Sequence, residues 1–259
     1  AFQSSDFLLL HPCTHFIQSS PIKDDKNESL SGLQLLFDEH TKGRIYVHGI
    51  FVMKFEKKEE QQILFGLNYI GPNVMTSLGM GRDRNDLDVS ALTKLIPDVF
   101  SELHQQLTQL TTTPSYHTCQ AIFNDALTKY YESLVIIESN YSNFAPSNLD
   151  SSKNSMIQLA DFLVQIFFQK NSISAIPFLN PTPHDNEIAS IFGKTAVEVP
   201  ELLWDWLQLS SSCPSIAKCY RENADKFLAL PEYVFDEVRP DYYVESILTL
   251  PENLIMFAQ

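Results

Sequence analysis

Cations are scarce in this chain: its 259 residues hold 18 Lys and Arg against 32 Asp and Glu, for a formal net charge of −14. That balance argues against non-specific binders of nucleic acid and of anionic membranes, which draw most of their affinity from clustered Lys and Arg. Cysteine is scarce as well. Cys13, Cys119, Cys213 and Cys219 are too few for a disulfide scaffold in a chain of this size, so a reducing intracellular setting, cytoplasmic or nuclear, is expected. No run of about eighteen uncharged apolar residues occurs, which argues against a membrane span. The apolar stretch at residues 7–10 is too short for a signal peptide and lacks a basic flank. Glycine nearly disappears after Gly81, only Gly193 following it, so a change of architecture is expected there.

What the chain does have is apolar content, 44%, enough for a real core. It opens on Ala1 rather than Met, as expected of a domain excised from a longer protein. Residues 6–10 begin the first part and are followed by a polar surface loop around residues 19–27. Residues 33–37 and 44–55 read as strands. In the second, β-branched and aromatic residues dominate and Gly49 marks a bulge or close approach. A charged turn at residues 56–60 leads to 63–69, a hairpin partner for the preceding strand.

Beyond Asp86 the pattern turns helical. Leu92, Leu95, Ile96, Val99, Phe100, Leu103 and Leu107 give one apolar face over about residues 89–110, kinked at Pro97. Two more helices are expected around residues 121–137 and 156–168, with a Ser/Asn-rich loop between them. Strand, helix and strand at residues 174–178, 186–192 and 195–200 form a βαβ-like unit. Helices at 201–209 and 214–230 precede a tail punctuated by Pro231, Pro240 and Pro251.

Familiar catalytic signatures are missing: there is no G-x-S-x-G elbow, Walker A loop, H-E-x-x-H helix or dinucleotide fingerprint. His11, Cys13 and His15, and separately His117 and Cys119, match no standard zinc spacing. Cys119 reads as a small hydrophobe on a helix face, and Cys213 and Cys219 as loop and helix residues. His48 reads as a surface or core-edge histidine within a strand, Asp161 as a residue on the polar flank of its helix, and Trp204 and Trp206 as packing residues.

The segment Leu78-Gly79-Met80-Gly81-Arg82-Asp83-Arg84-Asn85-Asp86 stands apart. It puts two cations just ahead of a helix, at the end where free N–H groups and the helix dipole favour anions. A negative partner is therefore required: a phosphate, or Asp83, Asp86 or Asp88.

Together, Gly43-Arg44-Ile45-Tyr46-Val47-His48-Gly49-Ile50-Phe51-Val52, Phe65-Gly66-Leu67-Asn68-Tyr69 and the arginine segment resemble the region that follows the nucleotide-binding domain in GHKL-type ATPases, especially the heat-shock-protein-ninety-like group. The resemblance covers about residues 33–110. It implies an α+β chain, with a two-layer α/β transducer-like domain at residues 1–112 carrying the arginine loop and long helix. Residues 113–259 would then be a helical region with a small α/β unit and the proline-rich tail. It also implies that Arg82, with Arg84 in reserve, reaches the γ-phosphate of ATP, where a fixed cation stabilises charge developing in phosphoryl transfer.

The acidic general base, magnesium-binding Asn and glycine-rich lids of that family's N-terminal domain have no counterpart here. ATP and magnesium would come only through such an upstream domain, and the isolated chain is expected not to hydrolyse ATP. Its other implied partners are a client protein and, in the parent protein, a second copy. The alternatives are a non-catalytic protein-interaction module with an acidic surface, and a metal-dependent hydrolase using His11, Cys13, His15 or His117.

Overall fold

Short apolar runs pair into a five-stranded mixed sheet in the order β1-β2-β5-β3-β4: β1 (Phe16–Gln18), β2 (Leu33–Leu36), β3 (Arg44–Val47), β4 (Ile50–Lys54) and β5 (Gly66–Tyr69). The computed structural model describes residues 16–18, 32–54, 63–70, 78–80, 87–109, 116–137, 144–146 and 154–223. The expectations for residues 6–10, 19–27 and 56–60, and for the tail from 224 onward, lie outside them. The class is α+β, as expected.

Cross-strand register sorts the sheet into two faces. Ile17, Leu35, Leu67 and Ile45 lie in line on one face, with Leu33, Tyr69 and Val47 beside them. The other face carries Phe16, Leu36 and Tyr46 together with the polar pair Gln34 and Asn68. Both polar residues are fully buried, and they answer each other: Asn68 Nδ2 donates to Gln34 Oε1 at 2.6 Å, while Asn68 Oδ1 accepts the Gly49 N–H at 3.0 Å. A buried amide left unpaired would be costly, so this network ties β2, β5 and the β3–β4 turn into one arrangement.

Two strand expectations are corrected. In place of the single strand expected over residues 44–55, residues 44–54 form a hairpin, because His48 (φ 51°) and Gly49 (φ 77°) both adopt the left-handed backbone that two-residue hairpin turns need. The bulge falls instead between Ile45 and Tyr46. His48 thus sits in a turn, its N–H donating to the Tyr69 carbonyl at 2.7 Å. Nor is β5 the hairpin partner of the strand before it: β5 lies between β2, antiparallel to it, and β3, parallel to it. All four residues of β5 are buried, which fits a central strand better than an edge.

The helical pattern after Asp86 resolves into α1 (Val89–Thr93) and α2 (Ile96–Gln109). The break comes just before Pro97, which is accommodated in the first turn of α2 because no N–H partner is needed there. Next come α3 (Tyr116–Ile136) and α4 (Asn154–Lys170), close to the expected positions. Helix α2 packs on β1 and β2, and also against α3 and α4. Phe100 touches Phe123 and Tyr130, and Tyr130 touches Phe65, so rings from the strand region and the helices share one core.

Two compact units result. The first comprises residues 1–170 and 199–212, so the division expected at residues 112 and 113 falls inside it. It includes α6 (Glu201–Gln208), whose Trp206 is buried and donates Nε1–H to the Phe144 carbonyl at 2.8 Å. Asp161 on α4 accepts the Ser210 hydroxyl.

The second unit comprises residues 171–198 and 213–259. In it, β6 (Ala175–Phe178) and β7 (Thr195–Glu198) pair in parallel around α5 (Pro183–Ile191), giving the expected βαβ unit. Helix α5 starts earlier than its periodicity suggests because Thr182 and Asp185 form a reciprocal capping box with Pro183 at the first helical position. The short α7 (Ile216–Glu222) is capped by Ser215.

Candidate functional site

The arginine segment is held at both ends. Before it, Leu78 and Met80 are buried; after it, the Asp88 N–H donates to the Leu78 carbonyl at 2.8 Å. This bond joins Leu78 to the residue just ahead of α1. Residues 81–86, and with them Arg82, Arg84, Asp83 and Asp86, lie outside the described residues.

Asp88 caps this helix end. One carboxylate oxygen accepts the Ser90 hydroxyl at 2.7 Å and the N–H groups of Ser90 and Ala91 at 2.9 and 3.2 Å. The Ser90 hydroxyl is the main influence holding its carboxyl below the usual carboxylate range. Partial burial opposes it, and the two backbone N–H bonds and the Lys94 charge assist it. Asp88 thereby meets the orphan donors that a phosphate would otherwise satisfy.

Replacing Asp88 with Ala is expected to cost about 1 kcal/mol, read as a lower urea midpoint. Because its folded-state pKa is depressed, its contribution is complete above the unfolded value. It is lost as pH falls through the lowered folded value, so acid titration of the Asp88→Ala protein should show a shallower loss of stability.

The Cys and His residues of the metal alternative are dispersed. His117 is exposed in the first turn of α3, while His11, Cys13 and His15 lie outside the described residues. Among the described residues, no three His, Cys, Asp or Glu converge. Burial pushes the Cys213 thiol up to about 11 and raises that of Cys219, which disfavours the thiolates a metal needs. Cys119 borders an apolar hollow of about 190 Å³ with Phe16, Ile17, Leu103 and Leu107, in keeping with its hydrophobic reading.

Sequence reasoning passed over the Gln34–Asn68–Gly49 network. Its signal was an amide in each of two otherwise apolar strands, at Gln34 and Asn68. Among the described residues, no helix is long and apolar enough to cross a membrane. No protein family, curated protein or solved structure matches the chain.

Proposed function

We propose that this chain is the middle, transducer-like region of a heat-shock-protein-ninety-like ATPase, supplying Arg82 to the γ-phosphate and relaying nucleotide state to downstream domains. The observation that supports it is the bond from the Asp88 N–H to the Leu78 carbonyl, which anchors the residues on either side of 81–86, after the β3–β4 hairpin and β5 and directly ahead of α1 and α2. An arginine needs such an anchored base to reach a neighbouring domain reproducibly, since preorganisation is what makes a fixed cation effective in phosphoryl transfer. In this reading ATP and magnesium are held by an upstream domain, and Arg84 is the reserve contact.

The test uses the parent protein with its nucleotide-binding domain. Arg82→Ala is expected to lower turnover by on the order of a thousandfold while nucleotide affinity changes little. Unchanged turnover in both Arg82→Ala and Arg84→Ala would remove the role.

One observation favours a second reading, that of a protein-interaction module. Strand β4 is outermost among the described strands, and its Ile50, Phe51 and Met53 are 37%, 50% and 36% exposed. An apolar edge of this kind is a template for strand addition by another chain. Recovery of one stoichiometric partner, unaffected by adding the nucleotide-binding domain, would support this reading over the first.

A further inference from the structure

We propose that the outer edge of β4 takes up an extended segment of another protein in which apolar residues alternate with Asp or Glu. This deepens the interaction-module reading and rests on it; the Arg82 reading is independent of it. Among the described strands β4 is outermost and pairs with β3 alone, so its far side is where a further strand would add.

Register gives this edge two unlike faces. Met53 stands opposite Ile45 and Ile50 opposite Val47, so the side that carries Ile45 and Val47 is extended at the edge by two exposed apolar residues. On the other side Phe51 stands opposite Tyr46, and Lys54 opposite Arg44. The bulge at this register shift is what puts Phe51 and Lys54, three positions apart in sequence, on the same face.

Charge names the complement. The chain as a whole carries −14, yet residues 42–54 hold Lys42, Arg44 and Lys54 and no Asp or Glu. Lys42 is paired with Glu39 at 2.6 Å. Arg44 is exposed, and among the described residues no carboxylate pairs with it; its guanidinium lies over the Phe51 ring, 5.9 Å from the centroid. The charge of β3 is thereby carried over β4 toward the open edge, and Lys54 adds a second cation on the same face. Neighbouring strands lie about 4.8 Å apart, within reach of these long side chains, so a carboxylate on that face of an added strand gains two cations.

An added strand alternates its side chains between the two faces, so one set meets Ile50 and Met53 and the other meets Arg44 and Lys54. Apolar residues suit the first set and Asp or Glu the second. A basic segment would set like charges side by side, which is unfavourable. A second copy of β4 would likewise bring Lys54 to the seam and no carboxylate, since residues 50–54 carry none. Main-chain hydrogen bonds supply the affinity of such an added strand, and the alternation supplies its selectivity.

The experiment titrates the full chain with two end-capped peptides, one of alternating Val and Glu and one of alternating Val and Lys, by calorimetry and by NMR of the backbone amides. The Glu peptide is expected to bind with a dissociation constant below about 1 mM, about tenfold more tightly than the Lys peptide, and to slow amide exchange in residues 50–54. The net charge of −14 favours the Lys peptide, so a preference for Glu reports the local cations and not the field of the whole chain. Replacing both cations, Arg44→Gln with Lys54→Gln, should weaken the Glu peptide about fivefold; neither side chain belongs to the buried core. Equal or tighter binding of the Lys peptide, or indifference to the double substitution, would overturn the proposal while leaving β4 as a strand template. Self-association that protects residues 50–54 without any peptide would assign the edge to a second copy and overturn it as well. Failure of both peptides to protect these residues would remove the proposal and the interaction-module reading together.

Discussion

Gly66→Ala is expected to destabilise the first unit by about 3 kcal/mol, the upper range for forcing extra volume into a packed interior. Gly66 opens β5, between β2 and β3, and a methyl group placed on it would lie 2.4 Å from the Thr41 carbonyl oxygen and 3.1 Å from that of Arg44. Both are backbone atoms, and neither segment is free to retreat. Thr41 is fully buried, its hydroxyl donates to the Asp38 carbonyl at 2.7 Å, and the Gly43 N–H donates to the Phe65 carbonyl at 3.0 Å. Relief therefore requires moving a sheet strand or breaking these bonds. Both tryptophans, Trp204 and Trp206, belong to the first unit, so tryptophan fluorescence in a urea titration reports on it directly. A midpoint shift equivalent to less than about 1 kcal/mol would show that the crossing at Thr41 yields easily.

Tyr130→Ala is expected to cost about 4 kcal/mol by the same measurement, as removal of a fully buried aromatic ring does when its surroundings cannot collapse. The ring lies 5.6 Å from Phe100, 5.8 Å from Phe65 and 6.4 Å from Trp206, centroid to centroid, so the void would open where strand region and helices join. Burial also raises the Tyr130 pKa far above the usual tyrosine range. Below about pH 10 both the folded and the unfolded chain keep the phenol proton, and stability is complete. Above it the unfolded chain releases a proton that the folded chain retains, and stability falls as pH rises. Urea midpoints taken between about pH 9 and about pH 11 should decline in the parent chain and decline less in Tyr130→Phe. Equal slopes in the two proteins would mean that the phenol reaches water before the fold is lost.

Helices were the legible part of this chain. Leu92, Ile96, Val99, Phe100 and Leu107 mark a face by their spacing alone, and the βαβ unit is announced by two short apolar runs around a polar helix. The hairpin was not legible, because a β-branched and aromatic run continues across His48 and Gly49, and only the backbone angles reveal the turn. Nor was the place of β5: pairing with β2 and β3 is a long-range choice that its four residues do not encode. The arginines of the candidate site were conspicuous in sequence as cations at the wrong end of a helix. Asp88 caps that helix through Ser90 and Ala91, while the arginines themselves lie outside the described residues.

By itself, then, the sequence determined the α+β class, the positions of the long helices and the scarcity of positive charge, since these depend on composition and on local periodicity. Tertiary structure alone decided that β5 would be the central strand and that α3, α4 and α6 would join the sheet in one unit. The physical reason is common to both. Each depends on contacts between segments far apart in the chain, whose favourable burial outweighs local preference only after the whole core has closed.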